Sequence, residues 1–327
     1  MVVNPRKLGV AAVLALAATL TACGTDDGTA SDTASTTPSE APSEGASSSP
    51  AASDPSTEPS TEPSSPSGTA SAPAAPASSA AAQQQAVPLY YVGDTPTGQR
   101  LYREFQTAVT ASPVAEALDL LAATDPLDPD YVSLVPPGTV AGAEVDDDAK
   151  VIRVELPASS SWTQAGSLTP KQARLAAQSV IYTAQGAAQQ RYPVEVVTEG
   201  STTPTTLFGI PTDGGLKQAP PLRILSLVNV TNPLEGTQVS GSFTADGVAS
   251  SFEATVPWEL RDPAGKVVRR GSAMAEGWMG RLYPWKVTVK LKGLAPGDYT
   301  FVAMTDDPSG GAEGPGAYED TRHVVVE

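Results

Sequence analysis

Apolar positions change their rhythm several times along the chain. An apolar run of thirteen residues, Leu8 to Leu20, comes first, and then no Val, Ile, Leu or aromatic residue appears between Cys23 and Val87. Compact apolar and period-two stretches follow. Val87–Val92 reads as a strand, and Leu101–Val109 sorts Leu101, Arg103, Phe105, Thr107 and Val109 to one face, which predicts the return strand of a hairpin. The period then lengthens. Ser112 and Pro113 open a helix with Val114, Ala117, Leu118 and Leu121 on one side. Thr139–Val145 and Lys150–Leu156 flank the acidic turn Asp146–Asp148 as a second hairpin. Thr169, Pro170 and Gln172 form a capping box for a second helix, lined by Ala173, Ala177, Val180, Ile181 and Ala184. Tyr192–Thr198 closes the unit with a strand. Strands in hairpins with two helices between them predict one antiparallel or mixed sheet with helices on one face, an α+β fold over 87–215.

Beyond the Gly- and Pro-rich join Gly209–Pro221, which leaves open whether the halves pack together, seven apolar runs recur: Leu222–Val230, Gln238–Ala245, Ser251–Leu260, Lys266–Met274, Tyr283–Leu291, Asp298–Met304 and Arg322–Val326. Two of them alternate cleanly. Phe252, Ala254, Val256, Trp258 and Leu260 share one face; Trp285, Val287, Val289 and Leu291 share another, with Lys286, Thr288, Lys290 and Lys292 opposite. Seven half-buried strands predict an all-β immunoglobulin-like sandwich over 222–327, and Leu294–Tyr299 reads as a tyrosine corner.

Two resemblances sharpen this reading. VPLYYVG, PVAEALDLLAA, SLVPPGTVAGAEVDDDAKVIRVELP, LTPKQARLAAQSVIYTAQ and YPVEVV, in that order, resemble the sporulation and germination domain called GerMN. That resemblance implies a fold and a cell-envelope setting and brings no catalytic residue. Val239-Ser240-Gly241, SSFEATVPWELRDPAGKVV and YEDTRHVVV resemble the immunoglobulin-like domain of bacterial spore germination proteins.

The N-terminus supplies an address. Arg6 and Lys7 precede an apolar run too short to span a bilayer, which takes about twenty helical residues. Leu20-Thr21-Ala22-Cys23-Gly24 resembles the lipobox of a bacterial lipoprotein. That resemblance implies a signal peptide over 1–22 and a Cys23 that carries diacylglycerol and palmitate-type chains, enough for durable anchoring. Residues 24–86 hold eight acids and no base among Ser, Thr, Ala, Pro and Gly. Such a segment cannot offset its ordering entropy, so 23–86 reads as a lipidated, disordered tether reaching roughly 45 Å as a coil and about 200 Å at full stretch. The expected location is extracytoplasmic, on the outer face of the cell membrane.

Composition excludes several chemistries. Of the 36 acids and 20 bases, 28 and 18 fall in 87–327, a net of −10, which is a poor footprint for nucleic acid. One Cys and one His build no zinc or iron–sulfur site, no disulfide and no Cys/His dyad. His323 has no Gly-x-Ser-x-Gly elbow to serve and reads as a strand-face or edge histidine. Asp306, Asp307, Glu313, Glu319 and Asp320 read first as one solvated Gly-rich loop and second as a weak calcium site, although they lack regular calcium-ligand spacing. Gly277-Trp278-Met279-Gly280 reads first as a plug over one end of the sandwich and second as an exposed contact. Lys286, Lys290 and Lys292, with Arg269 and Arg270 nearby, read first as guards of an edge strand and second as a landing patch for an anionic partner. Trp278, Met279, Lys286, Lys290 and Lys292 therefore make up the candidate interaction surface.

These readings predict a lipid-anchored, non-catalytic interaction or scaffold protein of the envelope, with no cofactor and no metal. Its expected partners are the bilayer through Cys23, other envelope proteins, and peptidoglycan as a second candidate. The alternatives are a wall-glycan binding lipoprotein and, at lower weight, a carboxylate-based wall hydrolase.

Overall fold

The hairpin expected at Val87 is longer than its apolar run. In the computed structural model, which describes residues 83–327, strand β1 (Gln83–Gly93) pairs antiparallel with β2 (Arg100–Thr110) from Gln84↔Val109 to Gly93↔Arg100. The Gln-rich end of the expected tether is thus drawn into the sheet, because a polar strand finds its hydrogen-bond partners as readily as an apolar one. The signal peptide, Cys23 and the tether up to residue 82 lie outside the described residues.

Helix α1 (Pro113–Ala123) follows with Ser112 at its N-cap position, then β3 (Tyr131–Val132), β4 (Gly142–Asp146) and β5 (Val151–Leu156). Helix α2 (Pro170–Ala188) starts on the capping box: Gln172 N–H donates to Thr169 Oγ1 at 3.3 Å and Thr169 N–H to Gln172 Oε1 at 3.0 Å. It crosses over to β6 (Val194–Thr198), which runs parallel to β5. The short hairpin β7 (Thr206–Leu207) and β8 (Ile210–Pro211) places Phe208 against Trp162, a fully buried indole that donates to the Pro136 carbonyl at 2.8 Å. The Pro-Pro-Gly-Thr turn fits that indole closely: a Cβ on Gly138 would meet Trp162 Nε1 at 3.0 Å.

Pairing in this half runs as two three-stranded sheets, β2-β1-β3 and β4-β5-β6, where one was expected. Helix α2 explains the break. Tyr90 N–H in β1 donates to Thr183 Oγ1 at 3.2 Å, and the buried Ser179 hydroxyl donates to the Tyr90 carbonyl. Hydroxyls of the helix thus occupy a backbone edge that a further strand would otherwise use. Gly186 permits the approach, since a Cβ there would fall 2.4 Å from Pro88 Cγ.

The expected strand Leu222–Val230 begins as a single helical turn, α3 (Pro221–Ile224), because prolines 220 and 221 set a turn; β9 (Val228–Asn232) starts only afterwards. Next come β10 (Thr237–Val239), β11 (Ser242–Ala249), β12 (Thr255–Arg261), β13 (Val267–Met274), β14 (Tyr283–Lys290), β15 (Gly297–Met304) and β16 (Glu319–Val326). They form a sandwich of two sheets, β10-β16-β15-β12-β13 and β14-β11-β9. Its core stacks Trp258 and Trp285 about Phe301. The tyrosine corner is present: Tyr299 Oη donates to the Ala295 carbonyl at 3.0 Å. Phe252 departs from the expected inward face. A tight turn puts Glu253 and Ala254 at positive φ, the strand begins at Thr255, and Phe252 is left exposed.

Candidate functional site at the seam between the two halves

The described residues belong to one compact unit, and the two halves meet along β2, α3, β9 and β16. Ser226 N–H donates to the Leu101 carbonyl at 2.9 Å, so the linker pairs with β2. Arg100 Nη1 donates to the carbonyls of Leu222 and Leu225 at 2.7 and 3.0 Å, and its guanidinium lies 5.1 Å from the centre of the Tyr318 ring. Tyr102 Oη donates to the Glu319 carbonyl at 3.1 Å.

At the centre is a buried charged cluster. Strand β16 buries alternate residues, which turns Asp320, Arg322, Val324 and Val326 inward. Arg322, 4% exposed in its side chain, reaches Asp128 and Asp320, each 1% exposed. Tyr131 Oη donates to Asp320 Oδ1 at 2.5 Å and accepts from Arg322 Nη1 at 3.0 Å. Asp320 Oδ2 accepts from Asn229 Nδ2 at 3.0 Å and from Val230 N–H at 2.5 Å. Asp128 and Tyr131 come from the first half; Asn229, Asp320 and Arg322 come from the sandwich.

Burial controls the titration here. It pushes the Asp128 carboxyl up to about 7, against the downward pull of Arg322. It also raises Glu104, whose carboxylate accepts the N–H groups of Leu127 and Asp128 at 3.0 and 2.7 Å. Tyr131 is raised well above the usual phenol range, first by burial and then by Asp320. Every carboxylate oxygen of Asp128 and Asp320 has a donor from the protein. The cluster ties residues of the two halves to one another.

The expected acidic loop is shorter than the sequence suggested, since Glu319 and Asp320 sit in β16; Asp320 joins the buried cluster, while Glu319 stays exposed with its carboxylate 4.0 Å from Arg261. Asp307 remains in a loop, holding Ser309 N–H at 3.0 Å and Gly311 N–H at 2.6 Å, and the Ser309 hydroxyl lowers its pKa. Among the described residues no group of three or more His, Cys, Asp or Glu is gathered as a metal site. His323 lies on a strand face, its Nδ1 2.5 Å from Glu235 Oε1; β16 is flanked by β10 and β15 and is no edge.

The Trp278–Met279 pair is not a plug. Trp278 is 40% and Met279 62% exposed, and Trp278 meets the exposed Phe252 edge to face with ring centres 5.5 Å apart. Gly277 serves Tyr283, whose ring a Cβ would meet at 2.7 Å. Lys286, Lys290 and Lys292 are all exposed, the first two on β14, an edge strand of its sheet. Arg269 joins them, its Nη2 donating to the Lys292 carbonyl at 2.7 Å, while Lys286 stands opposite Asp246 on β11.

A second cationic feature escaped the sequence reading. A groove of about 580 Å³ has Leu175 and Ile181 in its floor and Arg100, Lys171, Arg174 and Arg223 on its walls. No stretch of sequence announces it, since its cations come from β2, α2 and α3.

Two family models match parts of the chain. Residues 88–203 match the family described as sporulation and spore germination, and residues 227–312 match the immunoglobulin-like domain of bacterial spore germination. No curated protein matches the sequence. Among solved structures, the tandem GerMN domains of the sporulation protein GerM from Bacillus subtilis align over 64% of this chain and 62% of that one, at 12% identity and TM-score 0.33. CopC from Methylosinus trichosporium OB3b aligns over 31% and 93%, at 17% identity and TM-score 0.22. A lytic polysaccharide monooxygenase from Jonesia denitrificans aligns over 29% and 60%, at 15% identity and TM-score 0.20. The GerM and monooxygenase matches span less than two thirds of those chains.

Proposed function

We propose that this chain, which carries a sporulation and spore germination domain followed by an immunoglobulin-like domain of bacterial spore germination, is a lipid-anchored envelope protein that works as a non-catalytic interaction module in a germination-type assembly. The observation that carries the reading is the exposed apolar cluster on the sandwich. Of the large hydrophobic side chains left exposed, Phe252 and Trp278 touch, Met279 adjoins them, and Met274 ends the strand that leads into the same loop. Aromatic and Met side chains in contact with water at one spot characterise surfaces that a partner covers. The seam supports the reading from the other side. Its perturbed carboxylates are engaged by backbone N–H groups and a guanidinium, an arrangement for holding two modules in one orientation.

Anchoring through Cys23 belongs to the same proposal, because a tether raises the effective concentration of the folded part near membrane partners. A second reading, binding of an anionic wall polymer, draws on the groove walled by Arg100, Lys171, Arg174 and Arg223 on an acidic chain.

In-cell photo-crosslinking distinguishes the two. A photoreactive residue at Met279 of the anchored full-length protein should give a discrete protein adduct that Phe252→Ser removes, and the same residue at the exposed Lys266 should not. Identical patterns from both positions would refute the surface. Muropeptide adducts at Lys171 without a protein adduct at Met279 would favour the second reading.

A further inference from the structure

Strand β13 ends its sheet, and the hydrogen bonds around it show which of its backbone groups face out. Ala275 N–H donates inward to the Ala254 carbonyl at 2.8 Å, and Glu276 N–H donates outward to the Pro284 carbonyl of β14 at 2.9 Å. Direction alternates along a strand. The inward set therefore runs on through Ala273, Gly271 and Arg269, which stand opposite Val256, Trp258 and Leu260 of β12. The outward set runs on through Met274, Ser272 and Arg270. Pro257, which has no N–H, stands opposite Ser272, as this phase requires.

The outward edge is closed at both ends and open between them. At one end it meets β14 at Glu276; at the other, Arg269 Nη1 and Nη2 donate to the carbonyls of Val268 and Lys292, each at 2.7 Å. Between these closures Arg270, Gly271 and Ser272 are exposed in succession and Met274 is 65% exposed. Alternate burial would hide every second residue, so this run leaves the backbone edge itself in water. No strand of the protein takes the outward groups from Arg270 to Met274, a span of about 14 Å. The flanks differ in character. Arg270 enters none of the ion pairs among the described residues, because Glu259 across from it is held by Arg261 at 2.7 Å. Met274, on the same face of the sheet, ends the strand that leads into the Trp278–Met279 loop. A second copy fits this edge poorly, since antiparallel pairing about Ser272 would set each Arg270 against a Met274.

We propose that the protein partner of the Phe252–Trp278 surface adds an extended segment to β13 between Arg270 and Met274, with an acidic side chain beside Arg270 and a large apolar one beside Met274. Main-chain hydrogen bonds to the open edge hold the segment, and the two side chains select it. Residues on one face of a strand recur every second position, so the acid and the apolar residue stand four positions apart in the partner. The inference rests on the interaction-module reading and adds how the partner is held. The segment leaves the edge before the turn at Lys266, in keeping with the adduct-free position expected there.

Proline at position 272 is the test, because the Ser272 N–H is a donor that no strand of this protein uses, and an edge strand tolerates proline in that phase. In the anchored full-length protein with a photoreactive residue at Met279, Ser272→Pro should cut the protein adduct about tenfold. The purified variant should keep the parent's circular dichroism spectrum and melting transition. Arg270→Glu, a change at an exposed side chain, should cut the adduct about threefold, and it decides the matter if Ser272→Pro does not fold. A parent-level adduct in folded Ser272→Pro, or in Arg270→Glu where the proline variant does not fold, would overturn strand addition and leave the surface standing. No adduct in the parent would sink both. An adduct that contains only peptides of this chain, at twice its mass, would replace the acidic partner with a second copy and so refute the proposal.

Discussion

Replacing Arg322 with Met tests whether the seam holds the two halves as one cooperative body. The substitution keeps the apolar stem and removes a guanidinium that faces Asp128, Asp320 and Tyr131 and donates to the Val230 carbonyl at 2.8 Å. Two carboxylates, each 1% exposed, would then share a dry site with no cation. Breaking a buried ion pair by deleting one member costs about 3–5 kcal/mol. Burial already holds Asp128 near a pKa of about 7, so it would take up a proton at neutral pH and keep the loss toward the lower end. For a unit of this size each kcal/mol corresponds to about 2–4 °C, giving a fall in Tm of about 6–20 °C. Differential scanning calorimetry supplies a second readout. The parent should melt in one transition, and the variant in two, because neither hydrophobic core has been touched. Asp128→Asn combined with Arg322→Met should cost less than the sum of the single changes, with a coupling above about 1 kcal/mol. A variant within about 1 kcal/mol of the parent that still melts in one step would refute the argument.

Three further outcomes are expected. The folded value of Asp128 is raised from 3.8 to about 7, so between those pH values the folded protein holds a proton that the unfolded chain has released. That contribution to stability is complete below pH 3.8 and is lost as pH rises to about 7; urea midpoints measured from pH 4 to 7.5 should fall with pH less steeply in Asp128→Asn than in the parent. Gly247→Ala should cost about 3 kcal/mol or more by chemical denaturation, because its Cβ would lie 1.9 Å from the Asn229 carbonyl oxygen, a backbone atom that cannot swing aside. Cys23→Ser should move the protein from the membrane pellet to the medium, and retention in the pellet would refute lipid anchoring.

Much of the fold was legible because local signals and packing agreed. The capping box at Thr169, the alternation of Trp285, Val287, Val289 and Leu291 and the corner at Tyr299 are short-range patterns with short-range causes. Alternation alone carries Phe252 to the inward face, but a turn with positive φ at Glu253 and Ala254 breaks the strand there and leaves Phe252 exposed. The split of the first sheet escaped because Ser179 and Thr183 look like ordinary helix residues until their hydroxyls meet the Tyr90 backbone. The seam was the largest omission. A signal for it did exist: Asp320 and Arg322 occupy the inward phase of a strand whose next two inward residues are Val324 and Val326. Two charges on a buried phase require partners, and the sequence cannot show that those partners lie near position 128.

The shared cluster also bears on how such a protein changes over generations. Asp128 and Arg322 are set almost two hundred positions apart, yet each neutralises the other in a place closed to water. Exchange of the sandwich for another of the same shape would strand Asp128 and Tyr131 in the seam unless the incomer brought an arginine at the same phase of its final strand. The two modules are separable as text and inseparable as inheritance: a recombinant must carry both halves of the cluster or redesign the seam at once.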